Sequence, residues 1–205
     1  MAKEISDFMD ITPDKQRMDS LMVAANIRNL SLLELFYTCV ANLCKIMDGR
    51  GTKIPDEQHH YIEKDDYNKC IYHKRDMDAT ERTVIVMKDA DILIKICDST
   101  GDFDDTSEYQ LLIRLLKERT IIDDDGSRRL RQKEEVENPS EVLLNPSDPE
   151  ATFRYKAGGK HLGYVGNVVE AVGEKSSLVI DYDYQQNTYA DNQFMKDYLN
   201  EKKDF

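Results

Sequence analysis

The chain has 205 residues, with 28 Lys and Arg against 40 Asp and Glu, a formal net charge of -12 and 40% apolar side chains. An acidic domain repels phosphate at long range, so the whole-chain charge argues against a polyanion binder, while the length suits one domain or one domain carrying an insertion. No apolar run approaches the roughly 18 residues needed to cross a bilayer, and Glu4, Asp7, Asp10 and Asp14 break the basic-then-apolar order of a signal peptide. The expectation is a soluble, cytoplasmic protein.

Resolved by position, the charge is uneven. Ten of the twelve excess negative charges fall in residues 51–150, and the two ends are nearly neutral. Cys39, Cys44, Cys70 and Cys97 show neither CxxC pairing nor a matching CxxH, so they read as buried thiols and not as a disulfide frame or a zinc site.

In chain order, Gln16 to Ile27 is compatible with a strand or with the start of a helix, because periodicity does not separate the two in so short a run. Ser31 followed by Glu34 is a capping box. Behind it Leu33, Phe36, Tyr37, Val40, Leu43, Cys44 and Met47 recur at three- and four-residue steps up to Gly49, which predicts an amphipathic helix with a core-facing stripe. Residues 51–78 are polar and mix loop with weak helix. His59 and His60 are neighbours there, about 100° apart on a helix, and do not easily share a metal.

Arg82 to Cys97 and Ser107 to Thr120 read as helices, the second with Tyr109, Leu112, Ile113 and Leu116 on one face. Asp123 to Gly126 predicts a turn, and residues 127–150, punctuated by Pro139, Pro146 and Pro149, a loop leading out of a helical insert. At Thr152 the period changes to two. Residues 153–169 and 177–186 predict a long antiparallel hairpin turning around Gly173, after which Asp191 caps a last helix carrying Phe194, Tyr198 and Leu199 and running to Phe205.

Candidate chemistry is sparse. Asp19, between Met18 and Ser20, is by pattern an ordinary carboxylate, an N-cap or a solvent-facing strand residue. Asp181 and Asp183 share one strand face, as a carboxylate pair for a metal or as a solvated surface. Gly158, Gly159 and Lys160 lack the spacing and the hydroxyl residue of a phosphate loop and read as a turn with positive φ. Ala151 to Val169 holds Arg154, Lys156, Lys160 and His161 with no acid, and Tyr155 and Tyr164 among them. That composition suits a phosphate backbone, or equally a sheet edge guarded by lysines.

Three segments, in order, resemble the catalytic part of bacterial insertion-sequence transposases of the DDE type: QRMDSLMVAANIRNLSLLELFYTCVANL near the start, DPEATFRYKAGGKHLGYVGNVVE at 148–170, and Ile180 through Gln186, Asn187 and Thr188 to Asp191. The resemblance implies an α+β fold: a partial RNase H-like domain (first strand, β-hairpin, following helix) interrupted by an acidic helical insert. It implies a first-strand region at 1–30, an insert with a charged, Pro-punctuated linker at 31–147, and the hairpin and helix at 148–205. The first acid of the catalytic triad maps onto Asp19, in Arg17-Met18-Asp19-Ser20, as a Mg²⁺ ligand. Asp148 would stand at the mouth of the site, with Arg154, Lys156 and Lys160 as DNA-backbone contacts, and Asp181 and Asp183 match non-catalytic positions. The second and third acids have no counterpart, so the resemblance implies a protein truncated at both ends. Two divalent ions about 3.5 to 4 Å apart need more than one carboxylate, and the chain alone is therefore expected to be inactive. Its implied partners are the DNA of insertion-sequence ends and a second copy or an intact transposase. The competing expectation is a non-enzymatic DNA- or transposase-binding regulator.

Overall fold

A computed structural model describes residues 4–5, 8–11, 15–73, 77–156, 158–174 and 176–201. The chain is α+β and divides into two compact units, a discontinuous one, Met1–Asn26 with Glu150–Phe205, and a continuous one, Ile27–Pro149. Among the described residues no helix is long and apolar enough to cross a membrane.

The continuous unit is built on helix α1 (Leu32–Gly49). The Ser31 hydroxyl accepts from the Glu34 N–H at 3.3 Å and the Glu34 carboxylate accepts from the Ser31 N–H at 2.8 Å, so the predicted box closes and satisfies two otherwise orphaned donors. Gly49 is the last helical residue and not the stop, since the cap falls on Arg50. The apolar stripe does face a core: Phe36, Val40, Leu43, Cys44 and Met47 are fully buried with Met87, Ala90, Leu93 and Cys97 of helix α2 (Ala79–Thr100) and Leu112, Leu115 and Leu116 of helix α3 (Ser107–Arg119). Each such side chain contributes about 1.5–3 kcal/mol by leaving water. Helix α2 starts from a second capping box, Asp78 with Glu81.

The polar stretch after α1 is a run of short helical turns: a 3₁₀ segment (Asp56–Ile62), one α-turn (Asp66–Asn68) and a π-helical turn (Lys69–His73). After α3 the expected turn is part of a small hairpin, strand β2 (Thr120–Ile122) pairing antiparallel with β3 (Arg128–Leu130), so the insert is not wholly helical. Three-residue strands are too short to show a period. Arg128 ties the hairpin to α2 through both oxygens of Asp91, at 2.8 and 3.0 Å, and Arg129 binds both oxygens of Glu135 at 2.8 Å. The Pro-punctuated segment is not a loose exit loop. Arg114 of α3 donates to the carbonyls of Pro149 and Glu141 at 2.8 and 2.9 Å, and Glu118 accepts from the Leu143 N–H at 2.6 Å.

In the discontinuous unit Gln16–Ala24 is a strand, β1, with Met18, Ser20 and Met22 half-buried between exposed neighbours. It pairs antiparallel with β5 (Gly159–Val172), the long central strand. The expected single hairpin is two hairpins sharing β5: β4 (Thr152–Lys156) pairs with its first residues and β6 (Ser177–Gln186) with the rest. Gly163 registers with both Ala24 and Thr152, so β1 takes one edge of β5 while β4 and β6 lie end to end along the other. Gly163 has φ +139, and a Cβ there would lie 2.2 Å from the Val23 carbonyl oxygen and 2.5 Å from the Ala25 nitrogen. Only glycine fits where three strands meet.

Helix α4 (Asp191–Glu201) follows; Asp191 is its first residue and not its cap, and the expected continuation to Phe205 lies outside the described residues, as do Asp7 and Asp14 near the start. Val165, Val169, Ala171 and Phe194 are buried. On the other face of the sheet Leu21, Val23, Val179 and three tyrosines, Tyr155, Tyr182 and Tyr184, at 71, 78 and 60% exposure, stand uncovered.

Candidate nucleic-acid and cation site

The discontinuous unit contains an open cleft of about 350 Å³ lined by Met18, Asp19 and Ser20 of β1, Lys156 of β4, Asn167 of β5 and Asp191, Asn192 and Met195 of α4. Its floor is set by the β1–β5 register, which puts Ser20 opposite Asn167, whose side-chain amide donates to the Ser20 hydroxyl at 3.0 Å. Asn167 is 4% exposed in a strand otherwise rich in valine and glycine. Its bond to Ser20 accounts for a polar group at that depth. Asp19 is exposed and stands opposite Val168, so strand alternation puts its side chain with Leu21 and Val23, on the face of the sheet away from Ser20 and Asn167.

The three basic residues singled out in the sequence do not converge. Lys156 lines the cleft on the face of Asn167, opposite to that of the Asp19 side chain. Arg154, two residues earlier and on the same strand face, is beside it, but its guanidinium donates to the Asp191 carboxylate at 3.2 Å and is partly neutralised. Lys160 stands opposite Tyr155, so strand alternation sends it to the other face, where its ammonium sits 4.1 Å from the centre of the Phe153 ring. A stretch that is uniformly basic in one dimension is thus split by the pleat.

Asp181 and Asp183 share a face, as their spacing requires, and each turns a carboxylate oxygen to the next residue's N–H, Tyr182 at 2.9 Å and Tyr184 at 2.7 Å. They belong to no cluster of three ligating side chains among the described residues. Gly158, with φ +79, makes the turn between β4 and β5 expected of Gly158-Gly159-Lys160. Asp148 belongs to the continuous unit, where its N–H donates to the Asn145 carbonyl at 3.2 Å.

Two cleft residues escaped the sequence reading. Asp191 looked like a cap, and Asn167 was not singled out; the available signal was an asparagine midway between Val165 and Val169 at the two-residue period of the buried face. Asn187, in the third resembling segment, is 1% exposed and locks the edge of the sheet, its N–H donating to the Thr152 hydroxyl at 2.8 Å and its amide to the His161 carbonyl at 2.9 Å.

In chemical terms the cleft offers one carboxylate, Asp191, together with a hydroxyl and an amide, while the Asp19 carboxylate falls on the opposite face of the sheet. Hard oxygen donors of this kind suit one Mg²⁺, which keeps most of its waters and takes one or two protein carboxylates. They do not suit two ions held about 3.5–4 Å apart, which need more carboxylates than these. No family model, curated protein or solved structure matches this chain.

Proposed function

We propose that the discontinuous unit is an RNase H-like module of the DDE transposase type, engaging DNA at the cleft bordered by Lys156 and Asp191. One observation carries the reading. Of the three segments that resemble that family in order, residues 16–26 of the first and the later two from Glu150 onward join as β1, β5, β6 and α4 in one compact unit, although residues 27–149, which include α1 from the first segment, intervene. A carboxylate on a strand beside an antiparallel hairpin, followed by a helix, is the arrangement the resemblance calls for. The uncovered apolar face of the sheet is in keeping with a core that other elements complete.

The chemistry limits the role. Strand cleavage by in-line displacement takes two ions and several carboxylates, and Asp19 and Asp191 do not share a face of the sheet. We therefore read the chain by itself as a DNA-binding partner in a transposition assembly and not as a self-sufficient nuclease. That also covers the regulatory alternative, in which the module occupies element ends without cutting.

The charge distribution sharpens the test. The continuous unit carries 18 basic against 26 acidic side chains and the discontinuous unit 10 against 14, so DNA binding is local and strongly salt-dependent. In fluorescence-anisotropy titrations of duplex DNA against salt, Lys156→Glu is expected to flatten the plot of log K against log salt by about one unit, Arg154→Glu by less because Asp191 already engages it, and Lys160→Glu not at all. An unchanged slope in Lys156→Glu overturns the cleft as the DNA interface. Nicking of supercoiled plasmid by the chain alone, dependent on Mg²⁺ and lost in Asp19→Asn, would overturn the non-nuclease reading.

A further inference from the structure

The second feature lies in the continuous unit, in the polar stretch that the apolar core does not explain. His60 lies in the last turn of a 3₁₀ segment, Asp66 starts an α-turn and Cys70 lies in the π-helical turn behind it. Their ligating atoms, an imidazole nitrogen, a carboxylate oxygen and Sγ, all lie within 4.8 Å of one another, and His60 Nδ1 stands 2.8 Å from Asp66 Oδ2. Asp66 and Cys70 are four residues apart and share a helix face. His73, three residues beyond Cys70, lines the same hollow of about 370 Å³ with His60, Asp66, Lys69 and Cys70.

The surroundings are built as a ligand set's surroundings are built. The buried Tyr37 hydroxyl, from α1, donates to Asp66 Oδ2 at 2.5 Å and aims a carboxylate that is only 6% exposed. The His60 ring lies against Tyr61, with centroids 4.1 Å apart. Arg82 of α2 donates to the Cys70 and Ile71 carbonyls at 2.8 and 3.1 Å and fixes the π-turn. Turns of this kind are rare and concentrate at functional sites.

We propose that His60, Asp66, Cys70 and His73 bind a zinc-type divalent cation. A tetrahedral zinc with ligands at about 2.0–2.3 Å has ligand–ligand edges of about 3.3–3.7 Å, so the His60–Asp66 edge opens by about 0.5 Å and the separations to Sγ close by about 1 Å at most. One thiolate and one carboxylate balance the 2+ charge. The mixed sulfur, nitrogen and oxygen donors favour zinc over Mg²⁺, which makes this site chemically distinct from the cleft at Asp191. Its role is structural: it joins the 3₁₀ segment to the π-turn and, through Tyr37, to α1, in a region with few apolar side chains to bury.

The test uses the full chain, stripped with a chelator and titrated with Co²⁺. The expected result is a thiolate-to-cobalt charge-transfer band saturating at one ion per chain, displaced by Zn²⁺, absent in Cys70→Ser and unchanged in His59→Ala. The Tyr37→Phe variant should bind about 10–100-fold more weakly, as the loss of an outer partner usually costs. In the unaltered chain, where folding of a variant is not at issue, Zn²⁺ should protect Cys70 from iodoacetamide. No thiolate band at stoichiometric Co²⁺, a band retained in Cys70→Ser, or Cys70 alkylation indifferent to Zn²⁺ would each overturn the site and leave His60–Asp66 as a plain hydrogen-bonded pair.

Discussion

Glu34 shows how one side chain can serve several ends. It closes the cap of α1, and its carboxylate also receives Arg28 at 2.6 Å and the hydroxyls of Tyr67 and Tyr72 at 3.0 and 3.3 Å. Burial pushes its carboxyl upward, but the bonds from Ser31, the Tyr67 hydroxyl and the Arg28 charge outweigh burial and hold it below the ordinary 4.5. A depressed folded value stabilises the protein fully above about pH 4.5, and that contribution is lost as pH falls through the lower value. Urea midpoints at pH 7 and about pH 3.5 should therefore differ less in Glu34→Gln than in the unaltered chain. Thiol chemistry is also decided residue by residue. Burial pushes Cys39 and Cys44 up to about 12 and Cys97 to about 11, whereas Cys70 is half-buried. Cys70 is thus the one cysteine of the four expected to react with iodoacetamide at neutral pH in the metal-free chain, read by mass spectrometry of its peptides. At Gly163, Gly163→Ala combines a Cβ clash with an unfavourable φ, and should lower stability by about 1–3 kcal/mol in denaturant titrations.

At the scale of elements, the helices were legible where capping and periodicity agreed. Ser31 with Glu34 marks the start of α1 in the sequence, and the same pair makes the two capping bonds in the fold. Ser31→Ala should cost about 0.5–2 kcal/mol, measurable as a shift in the urea midpoint. Strands were harder. Gln16 to Ile27 stayed open between strand and helix because what makes it a strand is β5, distant in sequence, whose register with β1 runs from Gln16–Ala171 to Ala24–Gly163. The hairpin at residues 120–130 was read as a turn for a related reason: its strands are held by Arg128 to Asp91 and Arg129 to Glu135, contacts that no local period announces. Pro139, Pro146 and Pro149 correctly marked irregular backbone, but not that Arg114 and Glu118 pin it.

For the whole molecule the two units differ in how much they bury. Among the described residues the continuous unit has a cluster of 23 buried apolar side chains. The discontinuous unit has Ile11, Ala151, Val165, Val169, Ala171 and Phe194, and one face of its sheet is uncovered. Because local stability follows apolar burial, amide hydrogen exchange should be slower in α1 and α3 than in β5, and β1 and β6 should open first. Comparable protection of β5 and α1 would contradict this ordering.

Composition, capping signals and apolar periodicity by themselves determined that the chain mixes helices with strands, where α1 and α3 begin and which of their faces turn inward, because those properties depend on residues within a few positions of one another. They also picked out the basic run around Lys156, which looked like one patch, whereas Asp19 was singled out by the family resemblance alone. The tertiary structure alone decided that β-sheet alternation divides Arg154 and Lys156 from Lys160, that Asp191 meets Arg154 on the face away from Asp19, and that Cys70 stands with His60 and Asp66. Each of these depends on strand register or on how separate turns pack, and such long-range geometry has no signature in any short window of sequence.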